Sequence, residues 1–129
     1  MPHTILIVED DLTALRALAA ILAREGYDTI QASAFEDAKR LLDDLLPDLL
    51  IVDVRLGAFN GLQLLLRHRF RRPDGAALVM TGFPDAVLET EARRQGAAFL
   101  LKPVEPAELL RRIAELLQRV RPADAGAGV

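Results

Sequence analysis

Short runs of β-branched and aliphatic residues alternate with longer helical patterns five times along this chain of 129 residues, and that alternation constrains the fold more than any other feature. Thr4 to Val8 is the first such run. Leu15, Leu18, Ala19 and Leu22 then recur at the i, i+3, i+4, i+7 spacing of one helix face, and Gly26 marks the end of that helix. Asp28 to Ala32 reads as a second strand. Phe35, Ala38, Leu41, Leu42 and Leu45 form a second helical stripe that Pro47 closes. Leu49 to Val52, Ala76 to Met80 and Ala97 to Leu101 read as the remaining strands. Leu62, Leu65, Leu66 and Phe70 mark a third helix ending before the Pro73-Asp74-Gly75 turn. Asp85 to Gln95 reads as a weakly apolar, mobile and solvent-facing fourth helix that Gly96 stops. Pro106 opens a fifth, with its stripe at Leu109, Ile113, Leu116 and Val120. The first and third strands lack the period-2 alternation, as strands buried on both faces do. The expected fold class is therefore α/β, doubly wound: an open parallel sheet of five strands, helices on both faces and right-handed crossovers.

The length fits one domain, expected over residues 1–121, with 122–129 as a tail or the start of a linker. There is no cysteine, which excludes disulfides, a thiol nucleophile and Cys-ligated zinc. Hydrophobic residues make up 51% and charged residues 27%, as in soluble globular domains. No apolar stretch approaches the ~18–20 residues of a membrane span, and no signal peptide is evident at the N-terminus. The expected location is cytoplasmic, with no membrane contact. A net charge of −3 argues against direct nucleic-acid binding.

In open α/β sheets the functional crevice lies beyond the carboxyl ends of the strands. Glu9, Asp10 and Asp11 follow the first strand, Asp53 the third, Thr81 and Gly82 the fourth, and Lys102 and Pro103 the fifth. Each has an ordinary explanation alone. Acidic residues before a helix cap it and complement its dipole, a lone Asp after a strand is commonly a turn residue, and a lone Lys is usually a surface charge. Their joint placement is not ordinary. With strand order 2-1-3-4-5, Glu9, Asp10 and Asp53 crowd together. Carboxylates so close cannot all ionise cheaply, and a hard cation such as Mg²⁺ relieves the conflict. A carboxylate beside such cations is a competent nucleophile toward phosphorus, and Thr81 is a donor at the same end of the sheet.

The runs Ile5-Leu6-Ile7-Val8-Glu9-Asp10-Asp11, Leu49-Leu50-Ile51-Val52-Asp53, Asn60-Gly61-Leu62, Val79-Met80-Thr81-Gly82 and Lys102-Pro103 together resemble the receiver domain of bacterial two-component response regulators. The resemblance spans about residues 4 to 120 and implies the flavodoxin-like (βα)5 fold with order 2-1-3-4-5. It implies that Asp53 is the phosphoacceptor, and that Glu9, Asp10, Asp53 and the backbone carbonyl of Arg55 hold Mg²⁺. Thr81 and Lys102 would bind the phosphoryl group, with Thr81 and Phe99 as the switch pair. The Lys102–Pro103 bond would be cis. It implies a sensor histidine kinase or phosphotransfer protein as donor, and an effector protein or a missing C-terminal output domain as recipient. A homodimer is left open. Such a domain is not a classical enzyme, although it catalyses its own phosphorylation and dephosphorylation.

The chain departs from the family pattern at several positions. The loop after Asp53 reads Gly57-Ala58-Phe59-Asn60-Gly61, without the frequent proline and aspartate. Phe99 lacks the hydroxyl of the common tyrosine. Ala98 stands where many receivers of the winged-helix class carry an acid, which weakens the case for their charge-paired dimer. Arg55 and Phe83 flank the site and are expected to influence phosphoryl lifetime.

Other readings fare worse. A haloacid-dehalogenase-type phosphatase needs an acid where Arg55 stands, a dinucleotide enzyme needs a glycine-rich turn where Glu9-Asp10-Asp11 stands, and Ser33 has no nucleophile elbow. The remaining alternative is a degenerate receiver acting as a binding module. Arg67, His68, Arg69, Arg71 and Arg72 read as a solvated basic helix end with His68 exposed, and His3 has no expected role. Leu110 and Leu117 are expected off the main stripe of the last helix, as a candidate partner surface.

Overall fold

The computed structural model of the chain describes residues 2–56 and 59–122. Its main sheet is built from β1 (Thr4–Val8), β2 (Asp28–Ala32), β3 (Leu49–Asp53), β6 (Ala76–Thr81) and β7 (Ala98–Leu101), all parallel. They lie in the order β2-β1-β3-β6-β7, the doubly wound order expected from the sequence. Between β3 and the next helix the chain adds a short antiparallel pair, β4 (Arg55–Leu56) and β5 (Phe59–Asn60), which the sequence reading did not anticipate. Two-residue strands carry no period to detect. Gly57, Ala58 and the tail residues 123–129 lie outside the described residues, as do the side chains of Arg55 and Asn60.

The five helices are α1 (Leu12–Arg24), α2 (Phe35–Leu45), α3 (Leu62–Arg71), α4 (Ala86–Arg94) and α5 (Pro106–Leu117). Successive residues of a strand face opposite sides of the sheet, so the continuous apolar runs split into two cores. Leu6, Val8, Leu50, Val52, Ala77 and Val79 face α2, α3 and α4. Ile5, Ile7, Leu49, Ile51, Leu78 and Met80 face α1 and α5. Asp11 caps α1, its Oδ1 accepting from the N–H groups of Thr13 and Ala14 at 3.0 and 3.2 Å. Asp85 caps α4 in the same way, accepting from the Leu88 N–H at 3.0 Å. Each cap satisfies helix donors that have no partner within the helix.

Three expectations are corrected. First, α3 is rotated relative to the predicted stripe: Leu64, Leu65 and His68 are buried, while Leu66 and Phe70 point to solvent, Phe70 with 82% of its surface exposed. Second, Leu117 belongs to the buried stripe of α5, with Leu109 and Ile113, and Val120 lies beyond the helix. The α5 leucines therefore offer less free surface than expected.

Third, the basic end of α3 is a cross-tie rather than a solvated patch. Arg67 donates to both carboxylate oxygens of Asp43 on α2, at 2.8 and 2.5 Å. Arg72, buried, pairs with buried Asp48, whose other oxygen accepts from the Thr4 N–H at 2.7 Å. Arg72 also donates to the carbonyls of Leu46 and Arg121. Arg69 donates to the Pro73 and Gly75 carbonyls. His3, assigned no role, contacts the Val120 carbonyl through Nε2 at 2.6 Å. These bonds tie the amino-terminal ends of the strands to the ends of α2, α3 and α5.

His68 sits inside this cross-tie at 1% exposure, with Nε2 donating to the Ala76 carbonyl at 2.8 Å. Burial lowers its pKa to about 4, helped by nearby Arg69 and Arg72 against the bond to Ala76. The folded protein therefore binds its proton less readily than the unfolded chain does. Stability from the neutral ring is full above the ordinary histidine pKa near 6.5 and is lost as pH falls from there toward about 4. Urea unfolding at pH 7 and pH 5 should show a loss of roughly 2 kcal/mol from this group. In His68→Gln, which cannot protonate, that part of the pH dependence should be missing.

Candidate functional site

The carboxyl ends of β1 and β3 lie side by side because Val8 pairs with Val52. That register puts Glu9 and Asp10, just past β1, beside Asp53, the last residue of β3. One carboxylate oxygen from each of the three lies within 4.8 Å of the others. Glu9 is buried and Asp53 partly so, while Asp10 faces solvent. Lys102, one residue beyond β7, reaches across β6 to bridge two of them. Its Nζ donates to Glu9 Oε1 at 2.5 Å and to Asp53 Oδ2 at 2.8 Å. Its own N–H is fixed by the Thr81 carbonyl at 2.7 Å, and the Lys102–Pro103 peptide is cis, as the resemblance implied.

The electrostatics follow from that crowding. Burial raises the Glu9 pKa, and this outweighs the opposing bond from Lys102. Burial alone would lower the Lys102 ammonium pKa, but its bonds to Asp53 and Glu9 outweigh that, and the net shift is upward. The ammonium stays charged. Counted formally, three carboxylates against one ammonium give −2, which a divalent cation balances. The donor set is all oxygen, as hard cations require.

Thr81 ends β6 with 2% of its surface exposed, and its Oγ1 accepts from the Phe83 N–H at 3.3 Å. It lies one residue past Met80, the register partner of Asp53. Phe83 stands at the rim with 56% exposure. Phe99 pairs with Val79, is buried, and shares a core with Leu88 and Ala92 of α4. Arg55 stands in β4, two residues beyond Asp53. The structure thus gathers Glu9, Asp10, Asp53 and Lys102 into one contact group, places Thr81 and Phe83 at its edge, and sets Phe99 in the core below. Sequence reasoning missed Gly61 as a supporting element. A Cβ there would sit 2.5 Å from the Asp53 carbonyl oxygen and 2.9 Å from Val52 Cγ2. The Asn60-Gly61-Leu62 motif held the signal.

A doubly wound α/β domain with a lysine-bridged acidic pocket at the carboxyl edge of its sheet is the class that fold and site define. The family model for the response regulator receiver domain matches residues 5–114. The chain belongs to that family. It is 35% identical over 134 residues to the transcriptional regulatory protein AruR of Pseudomonas aeruginosa, covering 99% of this chain and 54% of that protein. It is 32% identical over 126 residues to the transcriptional regulatory protein GlrR of Escherichia coli, covering 95% of this chain and 28% of that protein. The chain therefore spans about half or less of the length of these relatives.

Among solved structures, a CheY-like receiver domain protein from Methanospirillum hungatei superposes with a TM-score of 0.85 at 29% identity, covering 89% of this chain and 93% of that one. A response regulator from Burkholderia pseudomallei, solved with a phosphorylated aspartic acid, calcium ion and citrate, gives a TM-score of 0.79 at 28% identity, covering 98% of this chain and 70% of that one. No helix among the described residues is long and apolar enough to cross a membrane.

Gly61 makes the site's geometry testable without touching a charged group. Gly61→Ala forces its new methyl against the Asp53 backbone, so either β3 or the turn must move. The expected cost is about 1–3 kcal/mol in urea unfolding.

Proposed function

We propose that this chain is a phosphorylation-dependent signalling switch of a two-component system, in which Asp53 accepts a phosphoryl group from a sensor histidine kinase or phosphotransfer protein. The observation that carries this reading is the bridge from Lys102 to Glu9 and Asp53 beside Asp10, a nucleophile and a cation held together in a pocket with surplus negative charge. Glu9, Asp10, Asp53 and the Arg55 carbonyl would hold Mg²⁺. That ion would neutralise charge on the phosphoryl oxygens when bound. The Burkholderia protein, with its phosphorylated aspartic acid and calcium ion, supports both assignments by similarity.

In this reading a carboxylate oxygen of Asp53 attacks phosphorus, the bond from phosphorus to the donor's histidine nitrogen breaks with its electron pair leaving on the imidazole, and Lys102 follows the charge from the carboxylate to the phosphoryl oxygens. Thr81 gives up its local bond with the Phe83 N–H and turns its hydroxyl to another phosphoryl oxygen. Phe99, packed beneath α4, passes that movement to the surface of α4, β7 and α5. The change is a shift between two populations that the phosphoryl group biases. The output goes to an effector protein or to a C-terminal output domain, as the relatives' names as transcriptional regulators suggest. The receiver unit of residues 1–121 works in the cytoplasm and does not itself bind nucleic acid. The net charge of −3 supports that, and Arg67 and Arg72 are engaged in internal ion pairs.

Intact mass after treatment with a small acyl phosphate tests the proposal. Wild type should gain one phosphoryl group only with Mg²⁺ present, and Asp53→Asn should gain none. A wild type that stays unmodified would instead make the chain a phosphorylation-independent binding module. The exposed ring of Phe83 stands at the rim where water must approach the phosphoryl group. Phe83→Glu should therefore shorten the phosphoryl half-life severalfold, measured by mass after donor removal.

A further inference from the structure

A cleft of about 470 Å³ opens between α1 and the segment leading from β7 into α5. Ala14, Ala17, Leu18 and Ile21 of α1 line one side, and Val104 and Leu109 line the other. The α1 positions recur at helical spacing, and two of them are alanines. Longer side chains there would close the gap against α5. Asp53 and Lys102 line the same cleft. This juxtaposition follows from the fold: Asp11 caps α1 immediately after the acidic pair, so the first turns of the helix must flank the site.

The cleft is thus bipolar. One part holds the carboxylates of Asp53 and Glu9 with the Lys102 ammonium between them, the rest is apolar, and its size suits a small organic molecule. We propose that it binds the apolar acyl group of a small-molecule phosphodonor, an acyl phosphate with a short aliphatic tail, while the phosphoryl end meets Asp53 and Lys102. The proposal rests on Asp53 being the phosphoacceptor. A carboxylate oxygen of Asp53 forms the new bond to phosphorus. The bond from phosphorus to the donor's acyl oxygen breaks, and its electron pair leaves with the donor's carboxylate. No proton changes hands, because a carboxylate is both nucleophile and leaving group. The anionic phosphoryl end complements Lys102, and the alkyl tail covers aliphatic surface that water otherwise wets.

Donors differing only in tail length separate this idea from the function itself. Acetyl and butyryl phosphate release carboxylates of nearly equal basicity, so their intrinsic reactivities match. Each methylene fully buried changes affinity by about fourfold. With Mg²⁺ present, butyryl phosphate should therefore phosphorylate the wild-type protein with a kcat/KM about tenfold above that of acetyl phosphate. Ala17→Leu, a change on the helix surface that fills the cleft, should reduce that ratio severalfold. Equal kcat/KM for the two donors on a protein that does become phosphorylated would overturn the acyl subsite and leave Asp53 as phosphoacceptor. A ratio unchanged in Ala17→Leu would overturn the assignment to this cleft. No phosphorylation by either donor, with circular dichroism showing folded protein, would overturn the reading of Asp53 and this inference with it.

Discussion

Everything at the functional edge depends on one ammonium among three carboxylates. β1 and β3 are neighbours with Val8 opposite Val52, so Glu9, Asp10 and Asp53 are forced together by the sheet itself. The apolar strands behind them are buried on both faces and cannot shift to relieve the repulsion. Lys102 offsets part of it, and it arrives from β7, on the far side of β6. The bridge therefore spans four strands of the sheet, β7 through β6 and β3 to β1, and leaves a charge imbalance that favours a divalent cation. A site built this way is responsive because its charges are incompletely compensated.

The opposite end of the strands is built on the contrary principle. There Asp48 and Arg72 are buried together, Asp48 also accepts from the Thr4 N–H, and Arg72 spreads its remaining donors over the Leu46 and Arg121 carbonyls. Buried charges of this kind persist only when paired and hydrogen-bonded. His68 and Arg69 add bonds to the carbonyls on either side of the start of β6. One end of the sheet keeps an unbalanced, accessible set of charges, and the other locks a balanced set into the structure.

The sequence made the layering and the site legible for physical reasons. Strands covered on both faces must be continuously apolar, so β1 and β3 stood out, and the polar residues that ended each run marked the carboxyl edge. The phase of α3 was not legible, because the buried face includes His68 and the exposed one includes Phe70, which inverts the hydrophobic signal on which periodicity depends. Nor was the internal use of the arginines. Arg67 and Arg72 find their partners 24 residues earlier in the chain, and a run of basic residues looks the same whether its partners are water or distant carboxylates. Lys102 and Glu9 are 93 residues apart, and their shared place at the carboxyl edge of the sheet, rather than any local spacing, brought them together. Gly61 was visible only as part of a motif. Its reason is the closeness of the Asp53 backbone, which no one-dimensional pattern records.

The bonds from His3 to the Val120 carbonyl and from Arg72 to the Arg121 carbonyl have a mechanical meaning. Both grip the backbone just past α5, one from the chain's own beginning and one from the end of α3. Tension applied to the chain beyond residue 122 is borne first by these two side chains, and through Arg72 by the Asp48 pair and the start of the sheet. The helix packing of α5 is thereby shielded from load, and such a pull is felt at the end of the sheet held by the Asp48–Arg72 pair rather than at the carboxyl edge.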